Sequence, residues 1–330
     1  MRKNLTAAAA AALVVGMSGA AAAETLRASH QWPGGTGDMR DEMVQIIAKE
    51  MEKSDTGVTV RVYPGESLVK AKEQWGALTG GQIDISAFPL AYAAGRHPEF
   101  NATLMPALVK SHEHAKRLND SEFMQDIKDI MNEAGVMVLA DTWLAGGFVG
   151  KEGCIVEPAD VKGKSTRAAG SSFEEMLAEA GASIASMPSS EIYTAMQTGV
   201  LDAANTSSES FVSYRIYEQV ECLTPPGDTA LWFMYEPIVM SKESFESLSP
   251  EAQEAIKAAG DKAEEYAAQA AKDADENMVK VFKENDVEIA TMTPEQFQAW
   301  RDIAAKSSYK NFAESVPNGQ ELIDKALSVD

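Results

Sequence analysis

Residues 249–286 are rich in Ala, Glu, Lys and Gln and contain a single glycine, Gly260. The run opens on Ser249-Pro250-Glu251. A serine hydroxyl accepts a backbone N–H of a first helical turn, and proline fits the first helical position, where no N–H is needed. At ~1.5 Å per residue an unbroken helix of this length spans over ~50 Å, more than one domain of this size offers. Such a helix needs two bodies to lie against. The alternative is two shorter helices meeting at Gly260, since glycine weakens a helix interior. No regular leucine seam marks a coiled coil.

The rest of the chain supplies two bodies. A strand at 25–30 leads into a Pro/Gly loop at 31–37. A helix follows at 39–54, with Met43, Ile46, Ile47 and Met51 at helical spacing. Then come a β-branched strand at 58–62, a helix at 72–79, a strand at 83–86, helices within 112–132 and a strand at 136–140. This is the rhythm of parallel sheets covered by helices. It restarts after Glu157-Pro158, with strands at 164–167, 184–186 and 201–204, helices at 172–180, 190–198 and 207–218, and an extended segment at 238–240. The stretch Glu73…Ala77…Gly81…Asp84 matches Glu191…Ala195…Gly199…Asp202 at identical spacing. Each copy reads as a helix, a glycine stop and an aspartate opening a strand. The expected fold is α/β with two lobes, each a mostly parallel sheet with flanking helices, and a long helix across both.

The N-terminus sets the compartment. Arg2 and Lys3 precede an apolar, alanine-rich stretch, and Ala21-Ala22-Ala23 is an A-x-A cleavage site before Glu24. This reads as a cleavable export signal over 1–23, and the mature chain is expected in the periplasm. No later run approaches the ~20 apolar residues that span a bilayer. The net charge is −21, and −23 once Arg2 and Lys3 leave with the signal. Such a chain is not expected to bind nucleic acid or anionic lipid, so any anion site must concentrate positive charge locally.

Catalytic signatures are lacking. There is no G-x-S-x-G, no P-loop, no G-x-G-x-x-G and no H-E-x-x-H, and no paired carboxylates stand out. His112 and His114 form H-x-H without a third ligand nearby, so neither a metal nor a cofactor is expected. Recognition is better supported. Open α/β sheets take ligands at the carboxyl ends of their strands, and Arg167 ends the strand Gly163-Lys-Ser-Thr-Arg167 just before a helix. An arginine there can hold a carboxylate through two parallel hydrogen bonds.

The segment Glu157-Pro-Ala-Asp160-Val-Lys-Gly163-Lys-Ser-Thr-Arg167 resembles a motif of the DctP-type substrate-binding proteins of TRAP (tripartite ATP-independent periplasmic) transporters. So does Ser190-Glu191-Ile-Tyr193-Thr-Ala195-Met-Gln197-Thr-Gly199-Val-Leu-Asp202, and Tyr63-Pro64-Gly65 with Glu73…Asp84 resembles the first-lobe motifs. The resemblance covers essentially all of the mature chain. It implies a hinged, two-lobed binding protein, not an enzyme, acting as a monomer. Its expected partners are a small organic acid and the integral-membrane permease subunits of a TRAP transporter. Arg167 would pair with the substrate carboxylate. Two departures stand out: Gly146-Gly147-Phe148 occupies the stretch where sialic-acid binders carry a second arginine, and Asp202-Ala203 replaces the usual Asp-Gly. The family's substrate-facing Asn corresponds to Asn205 or Thr206.

The lobes are expected at 24–146 plus about 231–265, and 147–230 plus about 266–330, with crossings near 145–151 and 229–235. Aromatic and polar residues in loops after strands extend the candidate pocket: Trp32, Phe88, Tyr92, Trp143, Ser189, Ser207 and Trp232. Lys70 is a candidate second cation. Cys154 and Cys222 flank the two crossings. Adjacent crossings would bring them within the ~7 Å between Cα atoms that a disulfide needs, although two free buried thiols are the alternative. Two other functions compete with the TRAP reading: a binding protein for an ATP-driven importer, and a secreted α/β enzyme. An unbroken helix across both lobes favours the TRAP reading, and convergent carboxylates or a metal in the cleft would favour the enzyme.

Overall fold

The structure, a computed structural model, describes residues 24–227 and 230–329, so the expected export signal lies outside the described residues. Among them no helix is long and apolar enough to cross a membrane. The strands, in chain order, are β1 (Glu24–Ser29), β2 (Val58–Tyr63), β3 (Ile85–Ala87), β4 (Val136–Ala140), β5 (Trp143–Gly150), β6 (Ser165–Ala168), β7 (Ser183–Ser186), β8 (Ala203–Ser207), β9 (Cys222–Thr224), β10 (Trp232–Tyr235), β11 (Ile238–Ser241) and β12 (Glu288–Ile289). They form two sheets, ordered β2-β1-β3-β11-β4 and β12-β9-β5-β8-β6-β7, with β10 paired to β5.

Each sheet contains a parallel unit of three strands in the order second-first-third: β2-β1-β3 and β7-β6-β8. The strand beside each unit arrives from the other half and runs antiparallel: β11 beside β3, β5 beside β8. These exchanged strands make both sheets mixed. The chain passes between sheets at Asp141-Thr142 and at Glu236-Pro237, and the adjoining ends of β5 and β10 form an antiparallel ribbon from Trp143↔Tyr235 to Gly146↔Trp232.

The sequence repeat is a structural repeat. Asp84 accepts the Arg27 amide at 2.7 Å, and Asp202 accepts the Ser165 amide at 2.8 Å. The return bonds, Asp84 N–H to Arg27 C=O and Asp202 N–H to Ser165 C=O, measure 2.9 and 2.8 Å. Gly81 and Gly199 both take positive φ, 69° and 75°, the left-handed turn that lets each helix stop and the next amide reach back to Ala77 or Ala195. Counting from Arg27 and Ser165, Ser29 in β1 is the equivalent of Arg167 in β6.

The long helix is unbroken over Pro250–Glu284. Its buried face is mostly small: Ala252, Ala259, Gly260, Ala263, Ala267, Ala271 and Ala274. It packs against the helix Met39–Lys53 and β4 near its start, and against the helix Ser208–Ser213 and β12 further on. Gly260 does not interrupt it. A side-chain carbon at that position would run into the Leu139 carbonyl of β4, so the glycine permits close approach.

Strand β5 was not foreseen, because Trp143-Leu-Ala-Gly-Gly-Phe-Val-Gly150 contains three glycines. All eight of its residues are buried between neighbouring strands. A side-chain carbon at Gly146, Gly147 or Gly150 would meet the carbonyl of Thr206, Thr224 or Gly153. The helices beyond 286 were also not foreseen. Pro294–Ala304 stacks Trp300 on Phe148 at 5.4 Å between ring centroids. The last helix, Gly319–Leu327, packs on Glu122–Glu133 in the first half, whereas the sequence division placed 266–330 in the second lobe. Cys154 and Cys222 are joined by a disulfide, with Cα atoms 5.0 Å apart and a sequence separation of 68.

Candidate functional site

Strand β6 ends at the junction of the two halves, and Arg167 is there, 1% exposed. Its Nε donates to the Met187 carbonyl at 3.0 Å and its Nη1 to the Asn205 carbonyl at 2.7 Å. Its Nη2 donates to the Tyr92 hydroxyl, from the first half, at 3.0 Å. These partners are neutral, and among the described residues no carboxylate pairs with this buried cation. A buried ion without a counter-ion is costly, and such groups are normally paired.

Contacts continue from Tyr92 across the junction. Its hydroxyl also accepts the Ser189 amide at 3.1 Å, Ser189 Oγ donates to Gln31 Oε1 at 3.3 Å, and the Tyr214 hydroxyl donates to the Gln31 carbonyl at 2.9 Å. Gln31 and Trp32 follow β1, just past the position equivalent to Arg167.

Trp32 leads to a second buried arginine. The Arg40 guanidinium lies 4.0 Å from the centre of the Trp32 ring and is fully buried. Asp38 holds it in a fork, Oδ1 to Nε at 2.9 Å and Oδ2 to Nη2 at 2.7 Å, and Glu236 accepts from Nη1 at 2.8 Å. The same Nη1 is 3.0 Å from Ser207 Oγ and 3.1 Å from Ser210 Oγ in the second half. Burial works against its charge, but Asp38 and Glu236 outweigh that and raise its pKa. Glu209, which accepts the Met39 amide at 3.1 Å, is pushed up from 4.5 to about 7 by burial and by Asp38, against the pull of Arg40. Burial also raises Glu236, against the pull of Arg40.

Around the two arginines, buried polar atoms are left without hydrogen-bond partners: Gln31 Nε2, Trp32 Nε1, Asn205 Nδ2 and Oδ1, and Trp232 Nε1. Each such atom costs about 1–3 kcal/mol unless something satisfies it, so a cluster of them marks a place built for a polar guest. A cavity of about 1050 Å³ lies elsewhere on β5. It is lined by Gly147, Thr224, Glu276 and Arg301 among others, shares Trp232 with the cluster, and does not reach Arg167.

The structure therefore brings together Arg167, Tyr92, Asn205, Ser189, Ser207, Trp32 and Trp232. Three expected residues stand apart. Lys70 is not a second cation of the cluster: its side chain is 72% exposed and lies 3.4 Å from Glu66. Trp143 is turned away, its indole donating to Asn119 at 2.8 Å and its ring 4.9 Å from that of Tyr235. Phe88 is a fully buried core residue that reaches the cluster only through its packing on Tyr92, with ring centroids 6.3 Å apart, and on Trp75 at 5.9 Å. Sequence reasoning missed Arg40, Asp38, Gln31 and Glu236. One signal was available: a cation in the first turn of a helix faces the positive end of the helix dipole, and such placement calls for nearby anions.

Comparisons with known proteins bear on the family and the fold. Residues 29–315 match the family model described as bacterial extracellular solute-binding protein, family 7 (DctP). A solute-binding protein of Albidiferax ferrireducens is 38% identical over 291 residues, covering 87% of this chain and 86% of its own. A TRAP periplasmic solute-binding protein from Rhodoferax ferrireducens, solved with bound malonate, superposes with a TM-score of 0.89 at 36% identity, covering 92% of this chain and 98% of its own. A TRAP protein from Sulfurospirillum deleyianum, solved with bound succinate, shares the fold with a TM-score of 0.84 at 24% identity, covering 94% and 100%. The two-lobed α/β architecture with its long helix is the fold of these proteins.

Proposed function

The chain belongs to family 7 of the bacterial extracellular solute-binding proteins, the DctP family, and from that premise we propose that it holds a small organic acid between its lobes and delivers it in the periplasm to the membrane subunits of a TRAP transporter. One observation carries the reading. Arg167 is a buried cation at the junction of the halves that makes no ion pair among the described residues, although its charge acts on Glu236, which Arg40 already holds. A ligand carboxylate supplies the missing charge, and the planar guanidinium suits its two oxygens. The malonate in the Rhodoferax neighbour supports an acid as guest.

Closure follows from the same contacts. Arg167 and Ser189 from one half meet Tyr92 and Gln31 from the other, so the pocket is complete only with the lobes together. The crossings, expected near 145–151 and 229–235, lie at Asp141-Thr142 and Glu236-Pro237, the ends of β5 and β10, and we place the hinge there; small-angle scattering should show a more compact form when acid is added. Arg167→Ala should weaken acid binding by about 2–5 kcal/mol, at least thirtyfold. Arg167→Lys should also lose most of it, because an ammonium cannot form the fork. Calorimetric titration with small organic acids decides the matter: unchanged affinity in both variants would sink the role of Arg167.

A further inference from the structure

We infer that Lys72 and Arg96 form a second, outer anion site on the lip of the first half, where a small organic acid docks before it passes Tyr92 to Arg167. The inference rests on the proposed binding of an acid at Arg167.

The charge of the chain sets the problem. A mature chain at −23 repels an acid as a whole, so capture needs a local excess of positive charge at the way in. A depression of about 340 Å³ on the first half supplies it. Trp75 and Tyr92 line it, together with Lys72, Glu73 and Arg96. Lys72 and Arg96 are exposed, and neither makes an ion pair among the described residues. Arg96 lies along the helix Gln74–Thr79, where a side-chain carbon at Gly76 would stand 3.2 Å from its Nη2. Among the described residues Glu73 is the one carboxylate of the lining, and it pairs with neither cation, so two positive charges face one negative. Lys70, by contrast, is held by Glu66.

The depression adjoins the seam between the halves. The segment Ser186-Met187-Pro188-Ser189 of the second half takes the contacts in order along the chain. Lys72 Nζ lies 3.3 Å from Ser186 Oγ and 3.4 Å from the Ser186 carbonyl. The Met187 carbonyl accepts from Arg167 Nε, and the Ser189 amide donates to the Tyr92 hydroxyl. Ser189 Oγ then donates to Gln31. Lys72 is exposed and Gln31 buried, so the seam runs from surface to interior past Tyr92. Tyr92 belongs to both places: it lines the depression, and its hydroxyl accepts from Arg167 Nη2 at 3.0 Å. The outer cations and the buried guanidinium are one side chain apart. Across the seam Lys72 meets only a carbonyl and a hydroxyl, and a carboxylate offers an ammonium a stronger, charge-assisted contact. An anion held there stands beside the seam that must part to admit it. Charges at a rim act on the rate of association, and buried charge contacts on the rate of release.

The test is stopped-flow association with the mature protein, followed by tryptophan fluorescence, using malonate or, where malonate gives no signal, the tightest acid of the calorimetric titration. In wild type the association rate should fall steeply between about 10 and about 150 mM salt, as the Debye length shrinks from ~30 to ~8 Å. Lys72→Gln combined with Arg96→Gln should lower the association rate at low salt by about tenfold, flatten its salt dependence and leave the release rate within about twofold of wild type. Lys280→Gln combined with Lys306→Gln makes the same change in net charge at exposed lysines outside the depression, and should move the association rate by less than about twofold. Equal effects of the two pairs, or a Lys72/Arg96 variant that matches wild type, overturn the outer site. A variant that only speeds release overturns it too, and would make Lys72 a clasp of the closed form. The acid-binding reading is judged separately, by whether wild type binds an acid and Arg167→Ala loses it. If no acid binds wild type, both fall.

Discussion

At equivalent points of the two parallel units stand Ser29 and Arg167, two positions beyond strand residues whose amides are held by Asp84 and Asp202. The skeletons around them agree bond for bond. What differs is charge. The second half brings to the junction a guanidinium, Arg167, that makes no ion pair among the described residues. The first half places serine at the equivalent position and brings its own arginine, Arg40, from the following helix with its counter-ions already attached. A duplicated framework thus carries two differently surrounded arginines, one proposed to grip the ligand and one already held by its own carboxylates. The difference shows that the fold fixes where a pocket forms, while the distribution of counter-charges fixes what the pocket asks for.

The sharpest way to break this comparison is to truncate both arginines. Arg40→Ala leaves Asp38 and Glu236 buried without their cation and should cost about 3–5 kcal/mol of stability. Arg167→Ala should cost no more than about 1–2 kcal/mol, the loss of neutral hydrogen bonds, with its main effect on affinity. Urea unfolding of the two variants, without ligand, separates them, and equal losses would erase the distinction. The halves also differ in their staple. Replacing Cys154 and Cys222 by serine removes a link that closes a loop of 68 positions, worth ~4 kcal/mol on the chain-entropy view, less any strain. Hydrogen exchange should then speed up in the second half and leave the first largely unchanged.

A smaller effect tests the shared skeleton. Asp84 is buried and also receives Arg27 Nε at 3.0 Å and Ser244 Oγ at 2.8 Å, whereas Asp202 is exposed. Asp84→Ala should cost about 1–3 kcal/mol and Asp202→Ala about 0.5–1 kcal/mol, read from denaturation midpoints. Similar losses would show that the turn, and not its surroundings, sets the value.

The smallest expected effect concerns pH. Glu209 bridges the halves and has its pKa raised from 4.5 to about 7. A carboxyl that holds its proton more tightly when folded favours the folded state below its unfolded pKa, and loses that contribution as pH rises through the folded value. Stability should therefore fall between about pH 5 and pH 7, by about 1–2 kcal/mol because Glu209 keeps some solvent contact. Glu209→Gln should flatten the slope, and an unchanged slope in melting temperature against pH would remove Glu209 from the account.

Much of this was legible in the sequence where local signals and global fold agree. The repeat at Glu73 and Glu191, the cap at Ser249-Pro250 and Arg167 at a strand end all announce themselves through spacing. Strand β5 did not, because its three glycines answer to carbonyls of β8, of β9 and of the turn at Gly153, which no local window contains. Arg40 was hidden for a similar reason. Asp38-Met-Arg40 reads as an ordinary capped helix start, and what gives it meaning is Glu236, 196 positions away. Lys70 shows the converse error: a plausible spacing after Tyr63-Pro64 gave no information on which way the side chain points.

The alanine-lined face of Pro250–Glu284 has a mechanical consequence. Two bodies joined by a ribbon of two strands can bend and also twist about that ribbon. A stiff rod lies along both, touching one half through Gly260 on Leu139 and the other through Phe282 beside Phe211, and a rod so held would resist twist more than bending. Methyl groups offer little relief to interlock, so a body can shift along the rod by small steps without repacking large side chains. Helices tolerate gentle curvature at low cost, with radii of about 60–100 Å. If the lobes move as proposed, the rod would act as a leaf spring, bending slightly as one lobe moves on the other.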